Sequence, residues 1–188
     1  MGIAAAEAAG FGPLKINCVV QRGVNDHTVM DLLEHFRGSG HIVRLIEFLD
    51  VGSSNDWHTE RVVPGWEWRQ HIHRRWPLQP LDKHQPGETA QRYNYLDGKG
   101  EIGLINSITE PFCANCSRLR VTADGVLYNC LFASEGKPLR PLLETAVSTQ
   151  QMEQFLLNTW SSRTDRYSQQ RFQQPHRQLG QEMYRMGG

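Results

Sequence analysis

The sequence has no excess of charge of either sign. It contains 20 lysine and arginine residues against 20 aspartate and glutamate residues, so its formal net charge is zero at pH 7 with histidine neutral. A chain with this balance has no overall field that would steer it towards nucleic acid. We therefore expect no nucleic-acid partner.

Long apolar runs and cysteines are also scarce. No stretch approaches the roughly 18 consecutive apolar residues of a membrane-spanning helix, and the first twelve residues contain no lysine or arginine of the kind that opens a signal peptide. The chain has four cysteines, and three of them lie within one short motif. This distribution is unlike a disulfide framework and is typical of a reducing compartment. We expect a cytoplasmic protein without a membrane segment.

The three clustered cysteines have the spacing of a metal site. Cys113 and Cys116 form a C-x-x-C pair, and Cys130 follows after thirteen intervening residues. Three thiolates suit a four-iron cluster in which one iron stays open to another ligand. They also suit a structural zinc ion, which would need a fourth protein ligand. Three unliganded thiols are the third alternative.

A hairpin is predicted between the second and third of these cysteines. Residues 118–122 and 126–129 predict two strands, and the Asp-Gly pair at 124–125 predicts the turn that joins them. Arg118 and Arg120 occupy alternate positions of the first strand, so both side chains point to one face. Two guanidiniums on one face suit a bidentate anion such as a phosphate chain. A solvated strand face is the simpler alternative.

The first third of the chain predicts parallel α/β structure. Residues 14–20 and 42–49 are apolar runs typical of buried strands, and residues 27–37 between them have the apolar periodicity of a helix. A strand, helix and strand of this length form a right-handed parallel unit, whose ligands gather at the carboxyl ends of the strands. Lys15, in the first strand, is either an anion ligand in a lined cavity or a strand-end lysine that reaches solvent.

Three regions follow from these elements. Residues 1–77 hold the strand–helix units, residues 78–135 an antiparallel region with the cysteine motif, and residues 136–188 the terminal helices and tail. Residues 91–106 predict a second hairpin, which we expect to form one small sheet with the cysteine hairpin. Residues 78–87 are predicted as a connection, and residues 161–181 as a poorly packed, mobile tail.

The cysteine motif resembles that of a known family. The pattern F-C-x-x-C-x-R-x-R, followed by x-x-x-D-G-x-L-x-x-C-L, resembles the carboxy-terminal cluster motif of the GTP 3′,8-cyclases, which are radical S-adenosylmethionine (SAM) enzymes of molybdenum-cofactor biosynthesis. The resemblance extends along nearly the whole chain. It implies a [4Fe–4S] cluster whose open iron meets the guanine of GTP, with Cys113, Cys116 and Cys130 as its ligands. It also implies a GTP-binding segment made of Arg118, Leu119 and Arg120.

Further site residues follow from the same resemblance. The K-I-N segment matches a family lysine that contacts GTP, which assigns that role to Lys15, and Arg44 matches an active-site arginine. After the I-E-F segment the family has a methionine that contacts SAM, and this chain departs from it with Leu49. The family ends in a double glycine that reaches the active site, which implies the same role for Gly187 and Gly188.

The resemblance also implies a reaction. The family enzyme is a lyase that uses SAM and a second [4Fe–4S] cluster, on a C-x-x-x-C-x-x-C motif, to form a radical that takes hydrogen from the ribose 3′ carbon of GTP. Attack on guanine C8 gives (8S)-3′,8-cyclo-7,8-dihydroguanosine 5′-triphosphate, which passes to a cyclic pyranopterin monophosphate synthase. This chain has no C-x-x-x-C-x-x-C motif. It resembles the carboxy-terminal half of the enzyme.

The expected fold is therefore α/β: the carboxy-terminal part of an incomplete (β/α) radical-SAM barrel, plus a small antiparallel sheet with the three-cysteine site. We expect the chain to be inactive alone, and to associate with an amino-terminal radical-SAM half or with a second copy. The alternatives are a non-catalytic nucleotide- or metal-binding remnant and a zinc-stabilised interaction module.

Overall fold

The structure is a computed structural model that describes residues 2–51, 55–172 and 182–186. Its internal contacts divide the chain into two units, one of Met1–Leu49 and Trp57–Pro111, the other of Asp50–Asp56 and Phe112–Gly188. Within the described part of the chain, no helix combines the length and the apolar character needed to cross a membrane. The three-region division at residues 77 and 135 stays a prediction.

The first unit is built on a mixed five-stranded sheet. Its strands are β1 (Lys15–Val20), β2 (Ile42–Glu47), β3 (Leu78–Leu81), β4 (Gln91–Tyr95) and β5 (Glu101–Ile105), and its helices are α1 (Gly2–Ala8), α2 (Val29–Phe36) and α3 (Gly65–Arg75). The strand order is β1-β2-β5-β4-β3. The pairs β1–β2 and β2–β5 are parallel, whereas β5–β4 and β4–β3 are antiparallel. Short 3-10 turns lie at Asp26–Thr28 and Thr59–Arg61.

One face of this sheet packs against α2 and α3. Val29 and Leu33 of α2, with Ile72 of α3, are at most 1% exposed and join one core cluster with the sheet. Fully burying such a side chain stabilises the fold by roughly 1.5–3 kcal/mol. The predicted strand–helix–strand unit is therefore confirmed, although the regular helix begins at Val29, after the 3-10 turn.

The hairpin of β4 and β5 belongs to this sheet. We expected it to form a small sheet with the cysteine hairpin, and that prediction is wrong because β5 pairs with β2. The sequence of β5 is EIGLI, and four of its five residues are buried. A strand with apolar residues on both faces suits the middle of a sheet.

The connection predicted for residues 78–87 contains an edge strand. β3 lies at the end of the strand order and pairs with β4, and it includes Pro80, which has no backbone N–H to donate. Proline is tolerated at a sheet edge because the missing hydrogen bond would point to solvent.

α3 begins against a buried asparagine. A Cβ atom added to Gly65 would lie 1.8 Å from Asn106 Oδ1, and Asn106 is 3% exposed. We expect Gly65→Ala to lower the free energy of unfolding by about 1–3 kcal/mol, because the overlap forces the buried Asn106 side chain to shift. Urea unfolding measures this loss.

Two controls test the cause. Gly2→Ala meets no atom within 4 Å and should change stability little. Adding Asn106→Ala to Gly65→Ala removes the overlapping atoms, so the double variant should lose less than the two single losses added together. Strict additivity would contradict the overlap as the cause.

The second unit contains a three-stranded antiparallel sheet. Its strands are β6 (Arg120–Val121), β7 (Val126–Tyr128) and β8 (Lys137–Pro138), and its helices are α4 (Arg140–Glu144), α5 (Thr149–Ser161) and α6 (Tyr167–Gln170). Further 3-10 turns lie at Cys113–Asn115 and Met183–Met186. The predicted cysteine hairpin is confirmed, since β6 and β7 pair antiparallel, but its first strand covers only Arg120–Val121 and Arg118 precedes it, so the shared strand face of the two arginines stays a prediction. Its turn places Gly125 at a φ of 77°, a conformation that favours glycine.

The tail predicted for residues 161–181 is partly packed structure. α6 lies within it, and Arg171 is only 7% exposed. The prediction of a poorly packed segment is therefore wrong for residues 167–171, and residues 173–181 lie outside the described part. The composition, rich in Gln, Arg and Ser, gave no sign that Arg171 forms a buried ion pair with Asp50.

Candidate functional site

The three motif cysteines lie in the second unit. Cys113 opens the 3-10 turn, and the N–H of Cys116 donates to the Cys113 carbonyl over 3.2 Å. Cys130 follows β7 by two residues and is 8% exposed. All three are free thiols. The hairpin brings Cys130 close enough to Cys113 for the charge of Cys113 to raise the pKa of Cys130.

The pKa of the Cys116 thiol is lowered from its usual value. Burial alone would raise that pKa, but a hydrogen bond from the Arg118 backbone N–H and the guanidiniums of Arg163 and Arg118 outweigh it. Arg118 Nη2 lies 3.1 Å from Cys116 Sγ. A lowered pKa favours the thiolate, which is the form that binds metals and attacks electrophiles.

The pKa of Cys130 is raised instead, chiefly because the thiol is buried. The backbone N–H of Phe132 donates to its sulfur and opposes the rise. Two of the three thiols thus accept a backbone N–H from the residue two positions further on. Such bonds stabilise a negatively charged sulfur.

The guanidiniums of Arg118, Arg120 and Arg163 lie around these thiols. Arg163 was not predicted as a site residue. Burial, and then the nearby charges of Arg118 and Arg163, lower the pKa of Arg120. Arg163 follows α5, donates to the Cys116 carbonyl over 2.5 Å, and lies over the Trp160 ring at 5.3 Å. Its place in a segment with the composition of a tail gave no signal of this role.

A buried ion pair lies beside Phe132, the second residue after the last cysteine. Asp50 accepts two hydrogen bonds from Arg171, at 2.8 and 3.0 Å, and one from the Tyr167 hydroxyl at 2.7 Å. The Arg171 guanidinium also lies 5.3 Å from the ring centres of both Phe132 and Tyr167. These contacts hold Phe132, whose N–H donates to Cys130. Asp50 and Arg171 are 121 positions apart, so no local pattern could link them.

Lys15 and Arg44 lie in the first unit, on one face of its sheet. Asn17 is paired with Arg44 in the parallel register, and Lys15 is two positions before Asn17, so the three side chains share a face. Arg44 Nε donates to Asn17 Oδ1 over 2.8 Å. A Cβ atom on Gly103 would lie 3.0 Å from Arg44 Cγ, so the glycine leaves room for the arginine stem.

The remaining predicted site residues are Leu49, Gly187 and Gly188. Leu49 follows β2 by two residues and is half-buried. Gly187 and Gly188 lie outside the described residues. The structure therefore groups the cysteines with the Arg118–Arg120 segment in one unit, and Lys15 with Arg44 in the other.

The three thiols are the candidate ligands of the cluster that the family motif implies. Among the described residues, no three His, Cys, Asp or Glu side chains are close enough together to hold a metal ion. The donor chemistry does fit: three free thiols, N–H groups that donate to two sulfurs, and guanidiniums that offset negative charge. A four-iron cluster with one open iron takes three thiolates stabilised in this way.

Comparison with known proteins gives a consistent picture. The profile of the family described as Molybdenum Cofactor Synthesis C matches residues 41–169. A GTP 3′,8-cyclase of Xanthomonas campestris pv. campestris (strain B100) is 54% identical over 187 residues, which cover 100% of this chain and 55% of that relative. The GTP 3′,8-cyclase of Synechococcus sp. (strain CC9605) is 47% identical over 191 residues, with 100% and 54% covered. That of Acidothermus cellulolyticus is 46% identical over 174 residues, with 90% and 48% covered.

The α/β fold, the cysteine motif and the matched profile define a domain of molybdenum cofactor synthesis. The chain belongs to the GTP 3′,8-cyclase family and matches the carboxy-terminal portion of these relatives. It spans about half the length of the curated relatives it matches. The family resemblance of the cysteine motif is therefore confirmed.

Proposed function

We propose that this chain supplies the GTP- and [4Fe–4S]-binding part of a GTP 3′,8-cyclase. The grouping of three free thiols and three guanidiniums in one unit supports this most directly. Cys113, Cys116 and Cys130 would hold the cluster. When bound, the cluster would offer an open iron position to the guanine base.

The arginines of the same unit would bind the charged end of GTP. Arg118, Arg120 and Arg163 place three permanent positive charges beside the thiols, and guanidiniums bind phosphate oxygens in bidentate pairs. Leu119 lies between the first two and is 39% exposed, so its backbone and side chain are available to the nucleotide. The first role of these arginines is to orient GTP, because a phosphate chain held at two points fixes the position of the guanine base.

Residues outside this grouping have proposed roles that follow from the family. Lys15 and Arg44 would contact the nucleotide, and Leu49 would replace the family methionine at the SAM contact. The terminal Gly187 and Gly188 would enter the same active site. The sheet of the first unit would be part of a (β/α) radical-SAM barrel.

The whole reaction is proposed for the complete enzyme. SAM and a second cluster would start the radical lyase chemistry in an amino-terminal half, and a cyclic pyranopterin monophosphate synthase would take the product. The present sequence has no C-x-x-x-C-x-x-C motif. We therefore expect this chain by itself to bind GTP without converting it.

Anaerobic reconstitution with iron and sulfide tests the proposal. We expect about four iron atoms per chain, no zinc, and an optical or paramagnetic resonance spectrum that changes when GTP is added. Bound zinc with no response to GTP would contradict the proposal and favour a zinc-stabilised interaction module. A cluster with no GTP response would favour a metal-binding remnant.

The arginines can be tested on the reconstituted chain. Arg118→Ala with Arg120→Ala should weaken GTP binding about 10-fold or more, because each removes charge-assisted hydrogen bonds worth about 1.5–3 kcal/mol. Lys137→Ala with Arg140→Ala is the matched control, since it also removes two positive charges from exposed residues of the same unit, where Arg140 pairs with Glu144 at 2.8 Å. Isothermal titration gives both affinities. Equal losses would mean that net charge alone, not the motif, attracts GTP.

A further inference from the structure

A pocket with a volume of about 560 Å³ lies beside α3 in the first unit. Its lining comes from the helix and from β3 and β4, and consists of Arg69, Gln70, His73, Arg74, Leu78, Pro80 and Tyr93. Pockets of this volume hold small organic ligands. The proposed GTP site uses none of these side chains.

The rim of the pocket is basic. Arg69, His73 and Arg74 line it, and none of the aspartate and glutamate residues that the structure describes does. The next residue of the helix, Arg75, pairs with Glu34 at 2.7 Å. Within the described part of the chain, Arg69 and Arg74 form no such ion pair, and Arg74 bonds only weakly to a backbone carbonyl at 3.4 Å. Two guanidiniums therefore face one pocket with their charge uncompensated.

The polar groups of α3 project from one strip of the helix. The four lining positions, 69, 70, 73 and 74, are spaced i, i+1, i+4 and i+5, which places them on one side. His73 is held in place because its Nδ1 accepts the Leu78 N–H over 3.0 Å. In the neutral ring this leaves Nε2 as the hydrogen-bond donor. The rim thus offers two forked donors and one oriented imidazole.

The floor of the pocket is apolar. Leu78 and Tyr93 are each 7% exposed, and Pro80 lies opposite Tyr93 across the β3–β4 pairing. The Tyr93 hydroxyl already donates to Gln91 Oε1 over 3.1 Å. An apolar floor gains from contact with an organic group, because that contact removes water from apolar surface. A bare inorganic anion would leave this surface wet.

We propose that this pocket binds an organic phosphate with a planar ring, of the size of a nucleoside monophosphate. Arg69, Arg74 and His73 bind the phosphate. The ring lies on the floor formed by Leu78, Pro80 and Tyr93. This site is separate from the proposed GTP site in its residues, so either can be present without the other.

Guanosine monophosphate (GMP) and inorganic phosphate are the probes, titrated into the 188-residue chain and followed by backbone amide chemical shifts. We expect shifts in α3, β3 and β4, and GMP to bind at least about 10-fold more tightly than phosphate because only GMP covers the floor. Arg69→Ala with Arg74→Ala should weaken GMP binding about 10-fold or more.

Two further variants make the test specific. Arg22→Ala with Arg75→Ala removes the same charge from the same unit, outside the pocket lining, and should leave GMP affinity unchanged. Gln70→Glu adds a carboxylate to the rim with almost no change in volume, and should weaken GMP binding even if the arginine variant folds poorly.

Three results would overturn the inference. The first is equal affinity for GMP and phosphate, and the second is an equal loss in the two double-arginine variants. The third is a set of shifts confined to the second unit and abolished by Arg118→Ala with Arg120→Ala, which would assign the binding to the proposed GTP site.

Discussion

Replacing Cys116 with serine is expected to reduce the iron bound by the reconstituted chain from about four atoms to nearly none. Cys116 is the thiol whose pKa is lowered, by the Arg118 N–H and two guanidiniums acting against burial. A serine hydroxyl stays protonated in the same place and is a poor ligand for iron. With two cysteines left, the cluster has too few anchors to survive desalting. Iron and sulfide analysis after gel filtration measures the loss.

Cys18→Ser is the matched control for this experiment. Cys18 lies in β1 of the first unit, half-buried against the apolar core, and burial raises the pKa of its thiol. It should therefore be a packing residue, and its serine variant should keep its iron and lose only some stability. A Cys116→Ser chain with full iron, or a Cys18→Ser chain with none, would contradict the assignment of the cluster ligands.

Replacing Glu47 with glutamine is expected to lower the free energy of unfolding by about 2–5 kcal/mol. The Glu47 carboxylate is 3% exposed, and each of its oxygens accepts two hydrogen bonds. Oε2 accepts the N–H groups of Ile108 and Thr109 at 2.7 and 2.9 Å, and Oε1 accepts the Gly65 N–H at 3.0 Å and the Thr109 hydroxyl at 2.5 Å. Glutamine turns one acceptor into a donor. Two donors, one buried and one part-buried, then lose their partner, at about 1–3 kcal/mol each.

Urea unfolding of the apo chain measures this cost without any cofactor. Glu34→Gln is the control, since Glu34 pairs with Arg75 at the surface, where its side chain is 57% exposed. Removing an exposed pair of this kind changes stability by about 1 kcal/mol or less. Equal losses in the two variants would show that Glu47 has no special place in the fold.

Glu47 also fixes the chain segment that follows β5 in the first unit. Its carboxylate holds the backbone of Ile108 and Thr109, which lie between the end of β5 and Cys113. In the sequence it is only a polar residue at the end of an apolar strand. The sequence did indicate that Glu47 forms buried hydrogen bonds, because a carboxylate in a buried strand needs several hydrogen-bond donors. Those donors lie 18, 61 and 62 positions later in the chain, so the local pattern could not identify them.

The sequence by itself determined the local elements and the family. The apolar periodicity of residues 27–37 predicts α2, the Asp-Gly pair at 124–125 predicts the β6–β7 turn, and the spacing of Cys113, Cys116 and Cys130 identifies the motif. These features depend on neighbours within a few positions. Hydrophobic period and turn chemistry therefore suffice to predict them.

Only the tertiary structure decided which elements meet. It placed β5 beside β2, made β3 an edge strand, and brought Arg163 to Cys116 and Arg171 to Asp50. Such pairings join groups that are far apart in the chain. They depend on which buried polar groups form hydrogen bonds with each other and on which elements pack against each apolar face. A strand such as β5, apolar on both faces, is compatible with several partners until the whole sheet forms. For that reason the cysteines were predictable from the sequence, whereas the side chains that surround them were not.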